Sequence, residues 1–98
     1  MAASAPPDPP AIRHQPAQQR FELDFDGRTG ELDYRLEGNV MTILHTGVAP
    51  AIQGHGLAAA LTRAALDHAR AAGWKVRPMC SYARGYFQRH PESADLLG

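Results

Sequence analysis

The hexapeptide Gln53-Gly54-His55-Gly56-Leu57-Ala58 stands at the start of a run of strong helix formers that extends to Ala72. Glycine carries no Cβ, so its backbone can lie against an anion, and the unpaired N–H groups of a first helical turn add positive potential at the same place. Phosphate or pyrophosphate is the ligand such a loop favours, although two glycines at this spacing also serve simply to turn a chain into a helix. Two better-defined phosphate loops can be tested against it. A Walker loop needs Lys and then Ser or Thr after its last glycine, whereas Leu57 and Ala58 follow here. A dinucleotide fingerprint fits as Gly54-x-Gly56-x-x-Ala59, but it also requires an acidic residue about 20 positions on to hold a ribose. Between Arg70 and Glu92 there is no Asp or Glu.

Two further residues have reactive side chains near that loop in the expected topology. If Val40–Val48 and Trp74–Met79 are parallel neighbours joined by the helix, then His45 and Cys80 both fall near the carboxyl ends of their strands, the edge where ligands gather in open α/β sheets. His45 is a candidate base toward an amine or toward Cys80, and an imidazolium together with a helix N-terminus would favour the thiolate. The plainer alternative stays open for each. His45 is expected on the strand face of Met41 and Ile43, where a histidine often just packs, and a free cysteine is commonly a small buried hydrophobe. Tyr82, Tyr86 and Phe87 recur at helical spacing and read as core, with Tyr86 a minor candidate for a general acid. His55 is expected to act through its backbone, His68 to sit at the rim, and Arg84, Arg89 and His90 to face phosphates or solvent.

The elements that must position these groups follow from periodicity. Residues 1–19 hold Pro6, Pro7, Pro9, Pro10 and Pro16 among alanines and polar residues, and read as a disordered tail. Phe21, Leu23 and Phe25 then alternate with Glu22, Asp24 and Asp26, and Leu32, Tyr34 and Leu36 alternate with charged residues, which predicts an antiparallel hairpin. Asp26-Gly27 and Thr29-Gly30 supply turn chemistry between the two. Val40–Val48 is apolar on both faces, as an interior strand requires. Leu57, Leu61, Ala65 and Ala69 line one face of a helix over 57–72 that Gly73 ends. Trp74–Met79 is a further strand, and Ser81 is expected to N-cap a short helix that Pro91 stops.

Ninety-eight residues form one domain. Ten Lys and Arg balance ten Asp and Glu, which argues against a nucleic-acid-coating protein. No stretch approaches the roughly 18 apolar residues of a membrane span, and the first residues lack the apolar core of a secretory signal, so a cytoplasmic protein is expected. A single cysteine permits no internal disulfide and makes a structural zinc site implausible, so no metal is expected.

With these residues in place the chain resembles the GNAT superfamily of acetyl-CoA-dependent N-acetyltransferases, in its small single-domain branch. The resemblance rests on the ordered set His45-Thr46-x-Val48-x-Pro50, Gly54-x-Gly56-Leu57-Ala58, Pro78-x-Cys80-Ser81-Tyr82 and Arg89-His90-Pro91, and runs from about Phe21 to Leu97. It implies an α/β (α+β) GNAT-like mixed sheet over residues 20–98, with N-terminal antiparallel strands, a central βαβ crossover and a short C-terminal helix. By the same resemblance acetyl-CoA is the cosubstrate, held by Gln53, Gly54, His55, Gly56, Leu57 and Ala58 at its pyrophosphate and by Thr46, Gly47 and Val48 along its pantetheine arm. Cys80 and His45 are the implied catalytic pair, acting either directly, with His45 as base, or through a thioester on Cys80. The partners are then coenzyme A and an amine acceptor, for a monomer or homodimer. A non-catalytic coenzyme A sensor would keep the loop and need neither catalytic residue, and a small interaction domain would need none of these ligands.

Overall fold

The computed structural model describes residues 10–98. The chain runs β1 (Ala11–Gln15), β2 (Arg20–Phe25), β3 (Arg28–Glu37), β4 (Val40–Val48), α1 (Leu57–Ala72), β5 (Lys75–Pro78) and α2 (Ser81–Arg89), and a 3-10 segment, Pro91–Leu96, closes it. The five strands lie in sequence order in one sheet. The first four are antiparallel, and β5 returns parallel to β4 through α1. This is the mixed sheet with a βαβ crossover that the resemblance implied.

The helices cover one face of the sheet. Leu57, Leu61, Ala65, Leu66 and Ala69 of α1 pack with Phe21, Leu23, Leu32, Tyr34, Met41, Ile43 and Val76 from the strands, and Ala83, Tyr86 and Phe87 of α2 complete the same core. Burying the apolar stripe of α1 on these alternate strand positions is what turns the two periodicities into one fold. The opposite face carries Glu22, Glu31, Asp33, Arg35, Thr42 and Arg77, none of them buried, and among the described residues no helix lies against it.

Two expectations change. The tail expected over residues 1–19 is structured where it is described: β1 adds a strand at the sheet edge, pairing Ala11–Gln15 with Arg20–Asp24. Its alternation is short but real. His14 stacks on Phe21 with ring centroids 4.1 Å apart, while Arg13 binds Asp24 on the other face. The flanking prolines bound this strand rather than forbidding it, because an edge strand need not use every backbone donor. Residues 1–9 lie outside the described part. Thr29-Gly30, expected in a turn, belongs to β3, where Gly30 stands opposite Leu23 and Val48.

Candidate active site

After β4 the chain makes a 3-10 turn over Pro50–Ile52 with Ile52 buried, and Gln53 is held by its side-chain amide donating to the Val48 carbonyl at 3.1 Å. Gly54 and Gly56 follow with φ of +90° and +72°. Those angles, not crowding, require glycine: a Cβ at either position would meet nothing within 4 Å. Gly56 is the N-cap of α1 and offers no side chain, so the helix starts without a side-chain cap. Its first backbone bond runs from Ala60 N–H to the Gly56 carbonyl at 3.0 Å, and among the described residues no acceptor faces the N–H groups of Leu57, Ala58 and Ala59. A sixteen-residue helix with a bare, glycine-opened first turn has the donors with which an anion can be held. It opens on a cleft of about 220 Å³ between Val48, Ile52, the loop and Tyr82.

Beside that cleft, β4 and β5 part. Their pairing covers only Val40 to Ile43 on β4, and the Ile43 carbonyl accepts from both Met79 N–H (3.0 Å) and Cys80 N–H (3.2 Å) as the chain turns away. The stretch Leu44–Val48 therefore has no β5 residue beside it. Cys80, not the expected Ser81, is the N-cap of α2: its backbone is extended, and its sulfur accepts the Ala83 N–H at 3.4 Å. Ser81 is already the first helical residue. The Cys80 sulfur also lies 3.7 Å from the Thr46 hydroxyl, which joins it to the stretch of β4 that β5 leaves. The thiol thus meets a backbone donor, a hydroxyl and the start of a helix.

His45 goes elsewhere. The β3–β4 register sets Tyr34 opposite Ile43 but Asp33 opposite His45, so Leu44 is an extra, bulged residue. One added residue reverses the alternation. Thr46 turns to the helix side, opposite Leu32, and His45 turns to the helix-free face rather than that of Met41 and Ile43. There its Nε2 lies 2.9 Å from the Glu31 carboxylate. The expected pair is thus divided: Cys80 meets Thr46 on one side of β4, and His45 meets Glu31 on the other.

Residues 20–96 match the family model described as GCN5-related N-acetyl-transferase. The chain belongs to this family. Its fold is similar to the NMR solution structure of a GCN5-like candidate N-acetyltransferase from Staphylococcus aureus. The TM-score is 0.71 at 26% identity, over 90% of this chain and 87% of that one. Membership assigns acyl transfer as the general chemistry.

Other candidates fall into place around this GCN5-related site. Tyr82, expected in the core, is half-buried and lines the cleft, with the Arg89 guanidinium 5.4 Å from its ring centre. Tyr86 is buried, and burial pushes its phenol above the ordinary value, the direction for a group that stays neutral. The His55 ring packs on Phe25 at 5.0 Å. His68 joins a different cluster, with His14 and Trp74. Among the described residues no group of three His, Cys, Asp or Glu side chains is placed to hold a metal, and no helix is long and apolar enough to cross a membrane. Glu31 escaped the sequence reading. Its signal was the register: once β3 and β4 are paired, Glu31 faces Gly47, two residues from His45.

Proposed function

We propose that the protein transfers an acetyl group from acetyl-CoA to an amine through a thioester on Cys80, with the acceptor reaching it from the helix-free face through the gap where β4 and β5 part, and His45 acting on that face as its base. The observation that carries this reading is the setting of the sulfur, beside Thr46 on the end of β4 that β5 leaves and hydrogen-bonded by the Ala83 N–H. The bare amides of Leu57–Ala59 would hold the pyrophosphate, with Gln53, Gly54 and His55 shaping the loop. The Thr46–Val48 backbone would flank the pantetheine arm. Three N–H groups without an acceptor among the described residues, beside an open cleft of about 220 Å³, support this reading.

In the first half-reaction the Cys80 sulfur attacks the acyl carbon and its C–S bond forms, while the coenzyme's C–S bond breaks with the electron pair leaving on the coenzyme sulfur, which takes up the thiol proton. In the second, His45 removes a proton from the acceptor ammonium. The freed lone pair then attacks the thioester carbon and forms the C–N bond, the carbon–sulfur bond to Cys80 breaks with its electron pair on sulfur, and the amine's second proton passes to that sulfur and restores the thiol. A lone thiol used this way suits a reducing compartment such as the cytoplasm.

The test is intact mass after incubation with acetyl-CoA alone. An acetyl adduct on Cys80 that is discharged by added amine supports the reading. Unaltered mass together with a fully active Cys80→Ala variant overturns it and leaves direct transfer to the amine. Stabilisation by coenzyme A without consumption of acetyl-CoA across an amine panel would instead identify a sensor.

A further inference from the structure

We infer that Glu31 is a positioning residue for the acceptor half of the reaction, holding His45 on the helix-free face with one ring nitrogen engaged and the other free. The inference rests on the reading of His45 as the base. It starts from an unusual placement of charge. Glu31 on β3 stands directly opposite Glu22 on β2, a like-charge pair that costs stability unless something offsets it. For its neighbours the offset is Arg20, which is bonded to Asp33 at 2.6 Å and lies 3.6 Å from Glu22. Glu31 instead turns across β3–β4 to the His45 Nε2, which donates to it at 2.9 Å.

The main chain is shaped for that contact. The bulge at Leu44 brings His45 to this face, and Gly47, opposite Glu31 in the register, leaves the floor of the pair open. A Cβ at Gly47 would stand 2.8 Å from His45 Nε2 and 2.5 Å from Glu31 Oε2, closer than real side chains come. Register and bulge bring the two groups together, and a side chain at Gly47 would have to displace the free ends of both. A carboxylate bonded to one imidazole nitrogen fixes the ring and steadies the imidazolium that forms when the other takes a proton, as in the carboxylate–histidine unit of serine hydrolases. With Nε2 given to Glu31, Nδ1 is the nitrogen left for the acceptor's proton.

The alternative is an exposed ion pair of small structural value. Steady-state kinetics with a primary amine acceptor on Glu31→Gln, His45→Ala and the double variant separate the two, with thermal melting as a check on the fold. Expected is a kcat loss of roughly tenfold or more for Glu31→Gln and about 10²-fold or more for His45→Ala. KM for acetyl-CoA and the melting temperature should hold in both, and the double variant should be no slower than His45→Ala alone. Glu31→Gln with undiminished kcat, beside a crippled His45→Ala, overturns the role of Glu31 and spares that of His45. A fully active His45→Ala variant overturns the reading of the base itself. Losses that multiply in the double variant also overturn the inference, since two residues acting as one unit cannot lose the same contribution twice.

Discussion

The two ends of α1 border two cavities, and the larger is the less reactive. At the C-terminal end about 430 Å³ opens among His14, Tyr34, His68 and Trp74. Its polar atoms answer one another: His14 Nε2 and the Tyr34 hydroxyl are 2.6 Å apart, and the His68 ring packs edge-on against both Trp74 and His14. The cleft of about 220 Å³ at the N-terminal end has the opposite character, with three backbone N–H groups lacking an acceptor among the described residues. Size does not mark the site. Polarity left unanswered does, because backbone donors are almost always paired unless a ligand or water takes them.

If that contrast is right, changes at the two ends should separate activity from stability. The largest effect belongs to Cys80→Ala. Turnover should fall by about 10³-fold or more, as for loss of a covalent nucleophile. The fold should lose about 1 kcal/mol, since one N-cap bond goes while the rest of α2 stays packed. Acetyl-transfer rates beside a denaturant melt measure both, and a variant that keeps its rate removes the thiol from the chemistry. Next comes Gly56→Ala. A side chain at φ +72° costs on the order of 1 kcal/mol, and its methyl projects into otherwise open space at the start of α1. Coenzyme A affinity should drop about tenfold by calorimetry, equivalent to a further 1.4 kcal/mol or so of lost contact. Unchanged affinity would mean that the anion sits elsewhere.

How far all this could be read beforehand depended on the scale of each feature. Helix α1 was legible from Leu57 to Ala72 because sixteen residues repeat one apolar stripe and a glycine ends it. The loop was legible because positive φ leaves its mark in residue type. Strand β1 was not, since five residues between prolines carry too little alternation to outweigh a disordered composition. The bulge at Leu44 was hidden for another reason: Val40–Val48 is apolar on both faces, so inserting one residue breaks no visible pattern, yet it decides which way His45 and Thr46 face. The cap of α2 went to Cys80 instead of Ser81 because capping depends on backbone geometry, and a sulfur with extended φ and ψ can accept the same N–H. Glu31 could be found only through strand pairing, which composition does not reveal.

The smallest effect concerns the other end of α1 and is a matter of pH. Burial, helped by the nearby charge of His68, lowers the His14 pKa from its usual 6.5. The sign follows from linkage. As pH falls below 6.5 the unfolded chain binds this proton before the folded one does, so unfolding takes up protons and stability declines. The contribution is therefore whole above 6.5 and is lost as pH drops toward the lower folded-state value. Burial also keeps the Tyr34 phenol neutral, raising it above its ordinary value, so it does not titrate in this range. Melting temperature should decline modestly from about pH 7.5 to about pH 5.5, and His14→Gln should flatten that slope. At a fixed pH near 7.5, acetyl transfer by His14→Gln should match the unaltered protein per folded molecule. A slope untouched by the substitution would show that the aromatic cluster is not where the proton enters. A loss of transfer at constant stability would mean that the larger cavity takes part in the reaction after all, and the contrast between the two ends of the helix would fail.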